Sequence, residues 1–127
     1  MRALIQRVSH ASVTIDDQLK SSIQQGLLVL IGIEGSDTNE DCEWLTSKIV
    51  NLRIFDDENG VMNKSLIDIE GELLIVSQFT LHAMTAKGNR PSYIRAAKPE
   101  VAIPLYETFC NLATQKLGKA FQTGTFG

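Results

Sequence analysis

Leu27-Leu-Val-Leu-Ile-Gly-Ile33 and Leu73-Leu-Ile-Val76 are apolar at nearly every position. Runs of that length without alternation read as strands covered on both faces. The flanking pattern is different. Residues 2–9 and 11–16 alternate or run apolar, with Leu4, Ile5, Val8, Val13 and Ile15 as the strand-forming positions. Asp16-Asp17-Gln18 reads as a tight turn, so 11–16 and 19–24 form a predicted hairpin. Gln25-Gly26 is a second turn, and Gly35-Ser-Asp-Thr-Asn39 breaks the first apolar strand. Arg53-Ile-Phe55 reads as a short strand, and Asn59-Gly60 is a turn signal. Leu66 to Ile69 alternates and leads through Gly71 into the second apolar run. Ala120 to Phe126 alternates weakly and reads as a final strand.

Two stretches carry the helical period instead. Cys42, Leu45, Ile49 and Leu52 fall at i, i+3, i+7 and i+10, a single apolar face. Thr38 with Asp41 three residues on resembles a capping box, and acids at 40, 41 and 43 suit the positive end of a helix dipole. Trp44 lies off that stripe and is free to pack on a neighbour or a partner. The second helix spans about Pro99 to Leu117, with Leu105, Phe109 and Leu112 on one stripe. Ile103, Tyr106, Cys110, Ala113 and Leu117 make another. Pro104 has no N–H to donate and belongs in the first turn or at a kink. Gly118 ends the helix. Many strands with two helices predict a small mixed α/β domain, and 127 residues are enough for one domain with its own core.

Composition changes this picture only locally. A hydrophobic fraction of 43% and a charged fraction of 21% are ordinary for a globular protein. The formal charge is −3, so the surface as a whole is no trap for polyanions. The charge is uneven, however. Glu34 to Glu72 holds acids at 34, 37, 40, 41, 43, 56, 57, 58, 68, 70 and 72 against Lys48, Arg53 and Lys64. Leu73 to Pro99 has no acid, and Lys87, Arg90, Arg95 and Lys98 all fall there. Screening confines fields to about 10 Å, so a local basic loop attracts RNA despite the net charge; the alternative is a solvated loop. Cys42 and Cys110 are far apart on apolar helical positions, which predicts buried thiols rather than a disulfide or metal site. Arg2 and Arg7 flank an alternating run, not the apolar core of a signal peptide, and no run approaches membrane-spanning length. The expected setting is soluble, reducing and cytoplasmic.

The chemistry gathers where the second apolar run ends, at Ser77, Gln78, Phe79 and Thr80. A rigid strand delivering polar groups at its end is a common way to build a site. Strand alternation predicts Gln78, Thr80 and His82 on one face, with Ser77, Phe79 and Leu81 on the other. A Thr80 nucleophile with His82 as base is conceivable, but no third group orients the histidine. A lone loop histidine is usually solvated. His10 reads as structural. No His/Cys/Asp/Glu cluster has ligand spacing, so neither metal nor cofactor is expected. Positioning remains: backbone N–H groups at the end of a strand can stabilise an oxyanion and hold a placed water. Those of Phe79 and Thr80 are the candidate donors, with Gln78 and Ser77 beside them. Phe79 is equally readable as core.

Ser77-Gln-Phe-Thr-Leu81, Lys87-Gly-Asn-Arg-Pro-Ser92, Leu105-Tyr-Glu-Thr-Phe109 and the opening Met1-Arg-Ala-Leu-Ile-Gln-Arg-Val-Ser-His-Ala-Ser-Val13 together resemble the D-aminoacyl-tRNA deacylases. The matches run in order along nearly the whole chain. The resemblance implies a single-domain three-layer β/β/α sandwich, mostly antiparallel, with two main helices and a homodimeric assembly. It implies an ester hydrolase that frees D-amino acids, and glycine, from mischarged tRNA, assisted by the terminal ribose 2′-OH. Lys87, Arg90, Ser92 and Arg95 would then contact the tRNA end, Phe126 would either stack on the terminal adenine or fill the core at a strand end, and Arg7 is the candidate for a contact across a dimer interface. A non-catalytic tRNA-end binding module and a small-ester hydrolase using Thr80 are the rival readings. The family's Gly-Pro dipeptide, with its proline bond cis, lies beyond the Gly-Thr-Phe-Gly of 124–127, so the chain reads as C-terminally shortened.

Overall fold

A computed structural model of the chain describes residues 1–82, 90–118 and 122–123. Strands β1 (Arg2–Val8), β4 (Gly26–Gly32), β7 (Glu72–Ser77) and β8 (Gln122–Thr123) form one sheet in the order β1-β4-β7-β8. β1 runs antiparallel to β4, whereas β4–β7 and β7–β8 are parallel. The central sheet is therefore mixed, and its two apolar strands are parallel neighbours. That accounts for their unbroken hydrophobicity, because parallel pairs need cover on both faces. The antiparallel pairings are β1–β4, the hairpin β2 (Ala11–Ile15) with β3 (Gln18–Ile23), and the small pair β5 (Phe55–Asp56) with β6 (Met62–Lys64).

Helices α1 (Asn39–Asn51) and α2 (Pro99–Leu117) pack on each other. Their buried residues share one core with alternate strand positions. Leu27, Val29 and Ile31 of β4 and Leu73 and Ile75 of β7 meet Cys42, Ile49, Val50, Tyr106, Phe109 and Ala113 there. The other sheet face follows from the register. Leu4 pairs with Leu30, and Leu30 with Val76, while Leu28 pairs with Leu74. The β2–β3 hairpin packs near β7 and β8 on the sheet. Leu74 and Ile23 are buried outside the main core, but Leu4 stays 55% exposed.

Local signals explain most element ends. Asp16 and Asp17 both adopt positive φ (50° and 62°), the backbone of a two-residue hairpin turn. The α1 cap forms as expected, the Asp41 carboxylate accepting the Thr38 N–H at 2.8 Å and its hydroxyl at 3.3 Å. Pro104 lies inside α2 rather than in its first turn, and Gly118 closes that helix at φ 77°.

Two sequence expectations are corrected here, and one strand was missed. Leu66 to Ile69 is a turn and no strand, held by Asp68, whose carboxylate accepts the Ser65 N–H at 2.9 Å. That local bond offers the backbone an alternative to a ladder. The strand of 62–64 was not legible, because Met62-Asn63-Lys64 is exposed on the sheet edge and has no apolar period. The short strand near Phe55 begins at the last residue of the expected Arg53–Phe55 span and runs to Asp56.

Candidate active site

The site is built where β7 stops. Its ladder with β4 runs to the Ile31–Ser77 pair and is extended by the Gln78 N–H, which donates to the Ile31 carbonyl at 2.7 Å. Beyond Gln78 the chain turns into a 3-10 helix over Phe79–His82. This corrects the expected two-face strand: residues 79–82 follow a three-residue period, so Gln78, Thr80 and His82 do not share a strand face. The physical cause lies in Gly32. A Cβ there would come within 2.8 Å of the Leu81 Cβ, 3.0 Å of the His82 Cδ2 and 3.2 Å of the Gln78 carbonyl. A glycine at the end of β4 lets the turn fold tightly against the neighbouring strand. Arg2 fastens the turn from the opposite side, Nη1 donating to the Leu81 carbonyl at 2.7 Å.

His82 is not solvated. It is a buried side chain, 1% exposed, and neither ring nitrogen has a hydrogen-bond partner among the described residues. Its Nδ1 lies 3.8 Å from Glu34 Oε1. Glu34 lies two residues beyond the end of β4 and gathers several groups. Its carboxylate pairs with Arg95 and stands 4.0 Å from the Met1 amino nitrogen. Asp37 closes the cluster, accepting from the Met1 amino group and from the Glu34 N–H, both at 2.7 Å. The backbone of the return segment docks here as well, with Ala96 bridged to Glu34 and the Ala97 N–H donating to the Ile33 carbonyl at 2.8 Å.

The sequence-based candidates distribute as follows. Ser77 and Gln78 are half-buried at the strand end, and Phe79 and Thr80 lie on the turn that follows. Arg90 and Ser92 are exposed on the returning segment. Arg95 lies on that segment too, but it already pairs with Glu34, so a phosphate has to compete for it. Arg7 is engaged within its own chain, donating to the Ile54 carbonyl at 2.9 Å beside Asp56 at 3.8 Å. Lys87 and Phe126 fall outside the described residues. Among the described residues no three His, Cys, Asp or Glu side chains are arranged to hold a metal ion. Glu34 and Arg2 were missed by sequence reasoning. Glu34 reads as one more member of an acidic stretch until β4 and β7 are seen to be parallel neighbours. Parallel strands bring their C-terminal ends together, and that alone puts Glu34 beside His82.

Both thiols are buried and free. Burial is the main force raising each of them, with Cys110 pushed up to about 12. Tyr106 is raised by the same cause, its hydroxyl donating to the Ile75 carbonyl at 3.1 Å. These groups belong to the core and take no part in the turn.

Fold and site together define a small mixed-sheet α/β domain with a polar turn at the C-terminal end of two parallel strands. A family model described as D-Tyr-tRNA(Tyr) deacylase matches residues 4–127. A D-aminoacyl-tRNA deacylase of Bacteroides fragilis is 67% identical over 127 residues, covering all of this chain and 85% of the relative. The solved structure of a c-Myc DNA unwinding element binding protein is 40% identical, with a TM-score of 0.94 over the whole chain and 86% of that structure. A probable eukaryotic D-amino acid tRNA deacylase shares the fold at 20% identity, with a TM-score of 0.77 over 91% of this chain and 68% of its own. The chain belongs to the D-aminoacyl-tRNA deacylase family.

Proposed function

We propose that this protein hydrolyses the ester of D-aminoacyl-tRNA, releasing the free D-amino acid and tRNA, and so removes mischarged tRNA from translation. The observation that carries the reading is membership of the deacylase family over the whole chain, with Ser77-Gln-Phe-Thr-Leu81 at the end of β7. The chemistry follows from what the ester requires. An aminoacyl ester is already activated, so a positioned water and a stabilised oxyanion suffice. The backbone N–H groups of Phe79 and Thr80 serve as oxyanion donors, and Ser77 and Gln78 hold the ester or ribose. The ribose 2′-OH assists, as the resemblance implies, and the turn needs no base of its own. Lys87, Arg90, Ser92 and Arg95 hold the tRNA end by its backbone, contacts that fix position and not base sequence. Phe126 stacks on the terminal adenine. Glycine carried on tRNA is a further substrate, since its side chain demands no room.

The test is turnover of D-tyrosyl-tRNA by Thr80→Ala and by wild type on a substrate ending in 2′-deoxyadenosine. Positional catalysis predicts that the alanine variant keeps measurable turnover while the deoxy substrate is hydrolysed far more slowly. Complete loss in a folded Thr80→Ala protein, with the deoxy substrate unaffected, would instead make Thr80 the nucleophile.

A further inference from the structure

We infer that His82 is a positioning residue for the reaction and that Glu34 is the carboxylate that orients it. The inference rests on the reading of residues 77–80 as the place where the ester is hydrolysed. Four observations carry it. The His82 ring is fully enclosed, at the last residue of the turn. It sits against Gly32, the one position of β4 whose missing side chain makes room for it. Its Nδ1 points to Glu34 at 3.8 Å, about 1 Å beyond a hydrogen bond. Glu34 is in turn held by Arg95, a half-exposed cation on the segment that returns from the basic loop.

Buried polar groups are nearly always partnered, so an enclosed imidazole just short of its carboxylate calls for a reason. A ring that only filled space here would be served by leucine. The arrangement instead forms a chain of contacts from solvent to site. Arg95 faces outward and is attractive to a phosphate. A phosphate that draws Arg95 away leaves the Glu34 carboxylate to close on Nδ1. Closure pulls the end of the turn toward β4 and sets residues 77–80 at the geometry the ester needs. Binding of the tRNA end and alignment of the turn are thereby one event, and the groups that link them touch no reacting atom.

The experiment separates kcat from KM for D-tyrosyl-tRNA. His82→Leu is expected to lower kcat by about 10–100-fold, the range that a misplacement of about 1 Å produces, with KM nearly unchanged. His82→Asn places an amide nitrogen where Nδ1 stood and is expected to restore most of kcat; His82→Gln, which imitates Nε2, is not. Glu34→Ala is expected to lower kcat similarly, and adding it to His82→Leu to cost little more, because the two act as one unit. If His82→Leu does not fold, the Asn and Gln variants decide by themselves. Wild-type kcat in folded His82→Leu, equal recovery by Asn and Gln, or additive losses in the double variant would overturn the pairing. The 2′-deoxy substrate, assayed on wild type alone, reports on the underlying chemistry independently of His82.

Discussion

Gly32 is the residue on which the site turns most directly. Adding one methyl group there forces a choice between moving the Leu81 side chain, the His82 ring or the Gln78 carbonyl, and two of those three belong to the turn. Overpacking of this kind costs about 1–3 kcal/mol. Gly32→Ala is expected to lose stability in that range and to lose turnover beyond it, measured by urea unfolding and by deacylation on the same preparation. Unchanged turnover in a destabilised protein would show that the turn tolerates displacement. The Asp16-Asp17 turn offers the opposite case, since L-residues at positive φ are strained. Replacing the pair by Asn-Gly is expected to stabilise by about 1 kcal/mol without touching activity. The two thiols set the alkaline limit. Below their ordinary range both folded and unfolded chains keep the protons. Above it the unfolded chain ionises while burial keeps the folded thiols protonated, so stability falls as pH rises from about 9 toward 12. Folded protein at pH 8 should therefore resist thiol alkylation, and labelling should track unfolding.

At the scale of elements, the returning segment poses the sharpest question, because its cations are not equivalent. Arg90 is exposed, whereas Arg95 is paired with Glu34. Arg90→Glu is expected to weaken tRNA binding and flatten its salt dependence by about one unit of slope, as the loss of one phosphate contact does. An unchanged slope would mean that Arg90 is only solvated. The two helices, the hairpin and both apolar strands were legible in the sequence, because each is dictated by a local period or a turn dipeptide. The capping box of Thr38 and Asp41 and the stop at Gly118 are likewise local. The end of β7 was not legible. Ser77 to His82 alternates well enough for a strand, but the neighbour that bends it is Gly32, more than forty residues earlier. The burial of His82 was hidden for the same reason: its cavity is made by β4 and its carboxylate by Glu34, and no local pattern reports a parallel crossover.

For the whole molecule, the two faces of the central sheet are unequally covered. The helices close one face completely, with Leu27, Val29, Ile31, Leu73 and Ile75 all buried. On the other face the register lines up Leu4, Leu30 and Val76 across three strands, and Leu4 keeps more than half its surface in water. The β2–β3 hairpin packs near β7 and β8. A row of apolar side chains across three strands is what a second copy would cover, and a two-fold assembly applies each such contact twice. The homodimer that the family resemblance implies is therefore best sought at this face, whereas Arg7, paired in register with Leu27, lies on the opposite side beside Asp56. Leu4→Asp puts a charge at the exposed β1 end of the row. It is expected to shift the sedimentation coefficient at micromolar concentration from dimer to monomer while leaving the thermal transition cooperative, since Leu4 lies outside the core. A monomer already in the wild type would refute the dimer. A dimer that survives Leu4→Asp would move the interface elsewhere, and Arg7→Glu is then the next variant to sediment.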